Sequence, residues 1–229
     1  MLNRCLLGSL LVLALDGQAR GDRAVEFEAT RLRAQQALAR VGPDERLVVR
    51  WSPGRPTPAV IRGMRVAVRG ATPTDRARAF LRQHADLVID AEQLRTMDVR
   101  GTKRRTVVRF QQTHRGLPVL GATLTVSMDP DGRVRSLHSG VRMTTVKDVA
   151  PRVDGKLAIG VASRAVAGRT ATGGQTTLAI APRGGGVLVH VVTLPMTVDP
   201  LGRRHLVDAR TGRYVGWLPG VVVDGEVWR

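Results

Sequence analysis

A chain of 229 residues with 43% hydrophobic and 24% charged side chains has enough apolar surface to close one substantial or two small cores, which excludes a peptide hormone and wholesale disorder. Aromatic residues make up only 3%, so Val, Leu, Ile, Ala and Met must fill the interior, with Phe80 and Phe110 among the few large fillers. The net charge is +17, but the arginines are spread along the whole length and Lys103-Arg104-Arg105 is the densest cluster, which reads as a solvated surface suited to an acidic partner and sets nucleic acid aside as a minor alternative.

The chain opens with Met1-Leu2-Asn3-Arg4, an apolar run from Cys5 to Leu15, and small and polar residues through Ala19 and Gly21. A charged start, a short apolar stretch and a small-residue exit describe a secretory signal peptide over residues 1–23, and the run is too short to span a bilayer as a helix. The expectation is export to the periplasm or the medium, with no membrane anchor. The single cysteine, Cys5, lies inside this segment, so the mature chain would carry no thiol for a disulfide, a thiolate metal site or a nucleophile.

Residues 24–46 read as an N-terminal helical segment, with Phe27, Leu32 and Leu38 recurring among alanines and charges until Gly42-Pro43 stops the helix. Leu47 to Trp51 predicts a strand, Ser52-Pro53-Gly54-Arg55-Pro56 a turn, and Val60-Ile61 with Met64 to Val68 an extended return. A helix starts at Thr74-Asp75 behind Pro73, and Ala77, Phe80, Leu81, His84 and Leu87 share one face of it. From Val99 the pattern becomes alternation: Thr106 to Gln111, then Leu120 to Met128, then a tight hairpin at Asp129-Pro130-Asp131-Gly132 and a return over Arg133 to His138.

A linker around Val149-Ala150-Pro151 precedes a second helix, Leu157 to Ala167, and a glycine-rich loop over Thr170 to Gln175. Strands follow at Thr176 to Ala181, Val187 to Met196, Arg203 to Val207 and Arg213 to Trp217. The hairpin at Asp208-Ala209-Arg210-Thr211-Gly212-Arg213 is similar to the one at Asp129, a likeness that turn chemistry alone explains. The expected fold is α+β in two modules, 47–148 and 149–217, each a helix packed on an antiparallel β-sheet, with a C-terminal tail over 218–229.

The chemistry-bearing residues form no catalytic pattern. His84, His114, His138, His190 and His205 are scattered, and none forms the His-Glu-x-x-His arrangement that would hold a zinc and polarise its water. There is no Gly-x-Ser-x-Gly elbow and no phosphate loop, and Gly184-Gly185-Gly186 reads as a plain turn. Asp129, Asp131 and Asp148 read as turn formers rather than calcium ligands. No catalytic residue, cofactor or metal site is expected, and the chain is not expected to be an enzyme.

The run Val107-Val108-Arg109-Phe110-Gln111-Gln112-Thr113-His114-Arg115-Gly116-Leu117-Pro118-Val119-Leu120-Gly121-Ala122 resembles the fungalysin/thermolysin propeptide motif. In that motif an Arg-aromatic-x-Gln strand, here Arg109, Phe110 and Gln112, turns through Gly116, Pro118 and Val119 and re-enters the sheet at Gly121. In physical terms Gly116 permits the turn, Pro118 stiffens the entry to the next strand, and Gly121 allows close backbone approach. The second helix, with His205 to Gly212 and its Asp208 and Gly212, resembles the PepSY module that follows in such propeptides. The resemblance covers roughly Leu47 to Trp217 and implies cystatin-like or PepSY-like modules.

In the common arrangement a catalytic zinc domain continues such a chain, whereas this sequence stops at Arg229, so a free-standing propeptide or a split or truncated precursor is the expectation. The implied role is inhibition or folding assistance of a thermolysin-like metalloprotease in trans. The alternatives are an envelope module that binds a peptide or protein without a protease partner, and a basic binder of nucleic acid or anionic polymer. The tail offers Val221, Val222, Val223, Trp228 and Arg229 as candidate protease contacts, in the manner of a cleaved product. The competing reading makes Val221 to Val223 a final edge strand of the second module.

Overall fold

The structure, a computed structural model, describes residues 24–41, 47–89, 91–168, 170 and 173–220, together with the backbone of 222–223 and 226–227. The expected signal peptide and the tail residues Val221, Trp228 and Arg229 lie outside the described residues. The protein is mixed α/β, with strands predominating. It divides into two compact units, one comprising the chain up to Phe110 together with Thr123–Val141, the other Gln111–Ala122 together with the chain from Arg142 onward. The sequence places a single junction near Val149-Pro151; the units instead exchange chain within two consecutive strands.

The first unit contains α1 (described over residues 24–40), β1 (Val48–Arg50), β2 (Val60–Val66), α2 (Pro73–Gln83) and β3 (Leu94–Gly101). It also takes the first half of β4 (Thr106–His114), the second half of β5 (Leu117–Met128) and all of β6 (Val134–Ser139). β1, β2, β6 and β5 pair antiparallel in that order, and β4 pairs with both β3 and β5. Helix α2 begins one residue earlier than its sequence implied. Thr72 is the N-cap, its hydroxyl accepting from Asp75 N at 3.1 Å while the Asp75 carboxylate accepts from Thr72 N at 3.1 Å, and Pro73 stands in the first turn, where its missing N–H costs nothing.

The buried face of α2 is Ala77, Phe80 and Leu81, packed in one cluster with Ile61, Met64, Val108, Phe110, Leu124, Val126 and Leu137 from the strands. Phe80 and Phe110 are fully buried, and burial of each side chain of this size contributes about 2–3 kcal/mol. The face of α1 differs from expectation: Leu32 is exposed, and the helix buries the small side chains of Ala34 and Ala37 instead.

The second unit continues with α3 (Gly155–Ala167), β7 (Gln175–Ala181), β8 (Val187–Thr193), β9 (Arg204–Asp208) and β10 (Tyr214–Leu218). β7 to β10 form an antiparallel meander, and the first half of β5 joins β7 in parallel through Val119 and Ile180. The Asp154 carboxylate caps α3 by accepting from Leu157 N at 2.7 Å, and Gly168 ends the helix in the left-handed conformation. The face that α3 turns inward is made of small residues, Ala158, Gly160, Ala162 and Ser163, with Val192, Leu194 and Val207 in the same cluster.

β8 stops at Thr193 rather than running to Met196, because Pro195 has no N–H for the ladder. Val222–Val223 is a strand (β11), but its partner is Glu226–Val227 (β12) in a separate two-stranded ladder, so it is not an edge strand of the meander. No helix among the described residues is long and apolar enough to cross a membrane.

Candidate functional site

Three features concentrate buried polar chemistry or unusual backbone: the β4–β5 hairpin, two turns with the same local sequence, and a loop built around Asp199. At the hairpin, Arg115 and Gly116 both have positive φ, 50° and 82°, which matches the right-handed twist of two strands joined by two residues. Phe110 points into the first core beneath the Arg78 guanidinium, which lies 5.5 Å from the ring centroid and also donates to Leu94 O and Thr96 Oγ1. Arg109, on the opposite face, lies 3.9 Å from the Asp98 carboxylate and is partly exposed.

Gln112 is fully buried and uses both ends of its amide on one residue: Nε2 donates to Arg142 O at 2.7 Å and Oε1 accepts from Arg142 N at 2.9 Å. The side chain thus stands in for a strand edge; no apolar residue offers that donor–acceptor pair, and Asn carries it on a side chain one methylene shorter. Its neighbour Gln111, which the sequence reading passed over, donates to Val119 O at 2.7 Å and Ala122 O at 3.1 Å across the bulged part of β5.

Gly121 corrects an expectation. A Cβ there would meet nothing within 4 Å, so close approach is not its reason; its φ of +69° is. The bulge changes which side chains of β5 are buried. Val119 and Ala122, three apart, are both buried with Ile180, and then Leu124, Val126 and Met128 alternate into the first core. A strand of strict period two could not bury Val119 and Leu124 together. Pro118 is exposed, and Gly116 is at the tip of the turn.

The turn at Asp208 is built as its sequence implied: the carboxylate accepts from Arg210 N and Thr211 N, both at 2.8 Å, and Gly212, φ +71°, donates to Asp208 O at 2.9 Å. Its closer structural analogue of the Asp129 turn lies elsewhere. Asp129-Pro130-Asp131-Gly132-Arg133 and Asp199-Pro200-Leu201-Gly202-Arg203 are both Asp-Pro-x-Gly-Arg. In each, the glycine has positive φ and donates to the Asp carbonyl at 3.0 Å, and the arginine N–H donates to the Asp carboxylate, at 2.9 Å and 3.1 Å respectively.

The second of these turns carries more. Asp199 is fully buried and accepts from the Arg203 guanidinium (3.0 Å), from Leu201 N (3.3 Å) and from His205 Nε2 (2.8 Å). Nδ1 of the fully buried His205 lies 3.0 Å from the Tyr214 hydroxyl, while its Nε2–H donates to Asp199. Burial pushes the Asp199 carboxyl up, but the hydrogen bonds from Arg203, His205 and Leu201 outweigh it and hold it at about 2. Burial pushes the Tyr214 phenol up. This network is structural chemistry: Asp199 and His205 have no exposed atoms for a substrate. Among the described residues no group of three or more His, Cys, Asp or Glu is placed to hold a metal ion.

Residues 101–141, which contain the β4–β5 hairpin, match the family described as Fungalysin/Thermolysin Propeptide Motif. No curated protein matches the sequence. Among solved structures the chain is similar to the Bacillus megaterium YpeB C-terminal domain, with 15% identity over 76% of this chain and 75% of that one, at a TM-score of 0.38, a likeness too loose to carry an argument.

Proposed function

We propose that this protein is an exported, propeptide-like protein that binds a thermolysin-like zinc metalloprotease in trans and restrains it or assists its folding, without catalysis of its own. The observation that carries this reading is the propeptide motif at residues 101–141, with its Gln112 amide, its positive-φ turn and its bulge at Gly121 all formed. The charged-apolar-small order of residues 1–23 supports export, and the absence of a His-Glu-x-x-His sequence supports a non-catalytic role. A PepSY-like second module of α3 and the β7–β10 meander belongs to the same reading.

In this account the tail over 218–229 supplies the protease contacts, Val221, Val222, Val223, Trp228 and Arg229, and the short ladder between Val222–Val223 and Glu226–Val227 opens as the segment lies extended in the cleft. Affinity capture of the mature protein from its own periplasm or culture medium, followed by mass spectrometry, tests the partner. The expected principal partner is a zinc metalloprotease of thermolysin type; recovery of other proteins with no such protease would overturn the proposal.

A further inference from the structure

The open edge of β10 has two chemically different sides. In the β9–β10 register Trp217 opposes His205 and Leu218 opposes Arg204, and directly opposed residues share a face of the sheet. On one face Trp217, 52% exposed, carries the Arg203 guanidinium at 5.4 Å from its ring. The turn that precedes Arg203 exposes Leu201 (71%), and Met196 (64% exposed) sets its sulfur next to Gly202 of the same turn. Exposed aromatic, methionine and arginine side chains set on a rigid base are the composition of interface hot spots. The base is rigid here because Asp199 ties Leu201, Arg203 and His205 together.

The other face holds Leu218, packed on the apolar cluster of Val189, Val191 and Leu206, and carries arginines toward its edge. Arg204 presents a buried Nε with no acceptor among the described residues, and Arg183 reaches the edge itself, its guanidinium 3.4 Å from Val215 O. Neither has an ion-pair partner among the described residues. The carboxylates nearby are committed, Asp199 to Arg203 and His205, and Asp208 to the N–H groups of its own turn. No described strand pairs with the outer edge of β10, and Val222–Val223 pairs with Glu226–Val227 instead.

We infer that the β10 edge is a docking site for an extended segment of a partner protein in which apolar and acidic residues alternate. Added as a strand, such a segment places its apolar side chains on the Trp217 face and its carboxylates toward Arg183 and Arg204 on the other, because successive side chains of a strand point to opposite faces. A segment alternating apolar and basic residues meets repulsion on the second face. The site is independent of the tail and of the identity of the partner.

Short capped peptides alternating Val and Glu, the same peptides with Lys for Glu, and the Glu peptides N-methylated on one backbone edge serve as probes, with binding to the full mature chain read by fluorescence anisotropy. Saturable binding of the Glu peptide is expected. Its affinity falls about tenfold in Trp217→Gln and in Arg183→Glu, each with an unchanged melting temperature, and likewise on N-methylation and for the Lys peptide. Arg183 is exposed and outside the Asp199 network, so its variant keeps the test valid if Trp217→Gln unfolds. Equal binding of the Lys peptide, indifference to both substitutions, or no binding at all would overturn the inference. Binding that emerges only after residues 221–229 are removed would also overturn it, by making the chain's own tail the occupant.

Discussion

The turns at Asp129 and Asp199 share five-residue chemistry and backbone geometry, yet they do different work. In both, Asp-Pro-x-Gly-Arg closes on itself through the same pair of hydrogen bonds. At Asp129 only a backbone bond is added, Asp129 N donating to Arg133 O at 3.0 Å; the residue is half-buried, and Arg133 is exposed just before β6. At Asp199 the carboxylate also takes the Arg203 side chain and His205, Tyr214 backs the histidine, and Trp217 covers the arginine. Local sequence sets the turn; the strand that follows decides whether its carboxylate is solvated or becomes the centre of a buried network. Among the positions that differ, β9 presents His205 two residues after Arg203, where β6 presents Arg135 after Arg133.

The largest expected difference between the two turns is the cost of losing the carboxylate. Asp199→Ala leaves the His205 N–H and a partly buried guanidinium without their acceptor, and removing one partner of a buried ionic network costs about 3–5 kcal/mol. Asp129→Ala loses one exposed turn hydrogen bond, about 0.5–1 kcal/mol. Urea denaturation of both variants beside the parent measures the gap; equal losses would mean that the Asp199 network adds nothing to the turn.

Glycine substitution should instead show the turns to be alike. Gly132→Ala and Gly202→Ala each force a side chain into positive φ, at about 1 kcal/mol. The cost is slightly higher at Gly132, where the new Cβ meets the Arg76 guanidinium, than at Gly202, where it meets the Met196 sulfur at an ordinary 3.6 Å. A large asymmetry in the other direction would contradict the shared backbone geometry.

The remaining contrast is in acid. The Asp199 carboxyl is held at about 2 in the fold and titrates near 4 when unfolded, so its contribution is complete above the unfolded value and is lost as the pH falls through the folded one. Melting temperature should therefore decline between about pH 4 and pH 2 more steeply in the parent than in Asp199→Asn. Parallel curves would remove the depressed carboxyl from the account.

Much of the fold could be read in the residues, and the limits have physical causes. Helical spacing placed Ala77, Phe80 and Leu81 on a core face, and alternation placed Leu124, Val126 and Met128, because these signals are periodic and local. Helix α2 starts one residue before Thr74 because proline is tolerated at the first helical position, so Pro73 opens the helix instead of preceding it. The hairpin residues Gly116 and Gly121 stood out as glycines, but whether a glycine serves φ or close approach depends on neighbours distant in sequence. Gln112 was visible only as part of a resemblance, since its partner Arg142 is thirty residues away. The Asp199 network was missed although its Asp-Pro-x-Gly-Arg signature repeats the one noticed at Asp129. The tail contacts proposed at Val221 to Val223, Trp228 and Arg229 rest on sequence and on the functional reading alone.

The central claim is that this chain restrains a thermolysin-like metalloprotease through its tail. Its most direct test is the residual activity of such an enzyme, the cognate one if affinity capture yields it, titrated with the intact mature chain and with a chain ending at Gly220. The account predicts saturable inhibition by the intact chain, weakened about tenfold or more in the shortened chain while its melting temperature is unchanged. Full protease activity at saturating intact chain would contradict the claim itself, and undiminished inhibition by the shortened chain would contradict the role given to the tail.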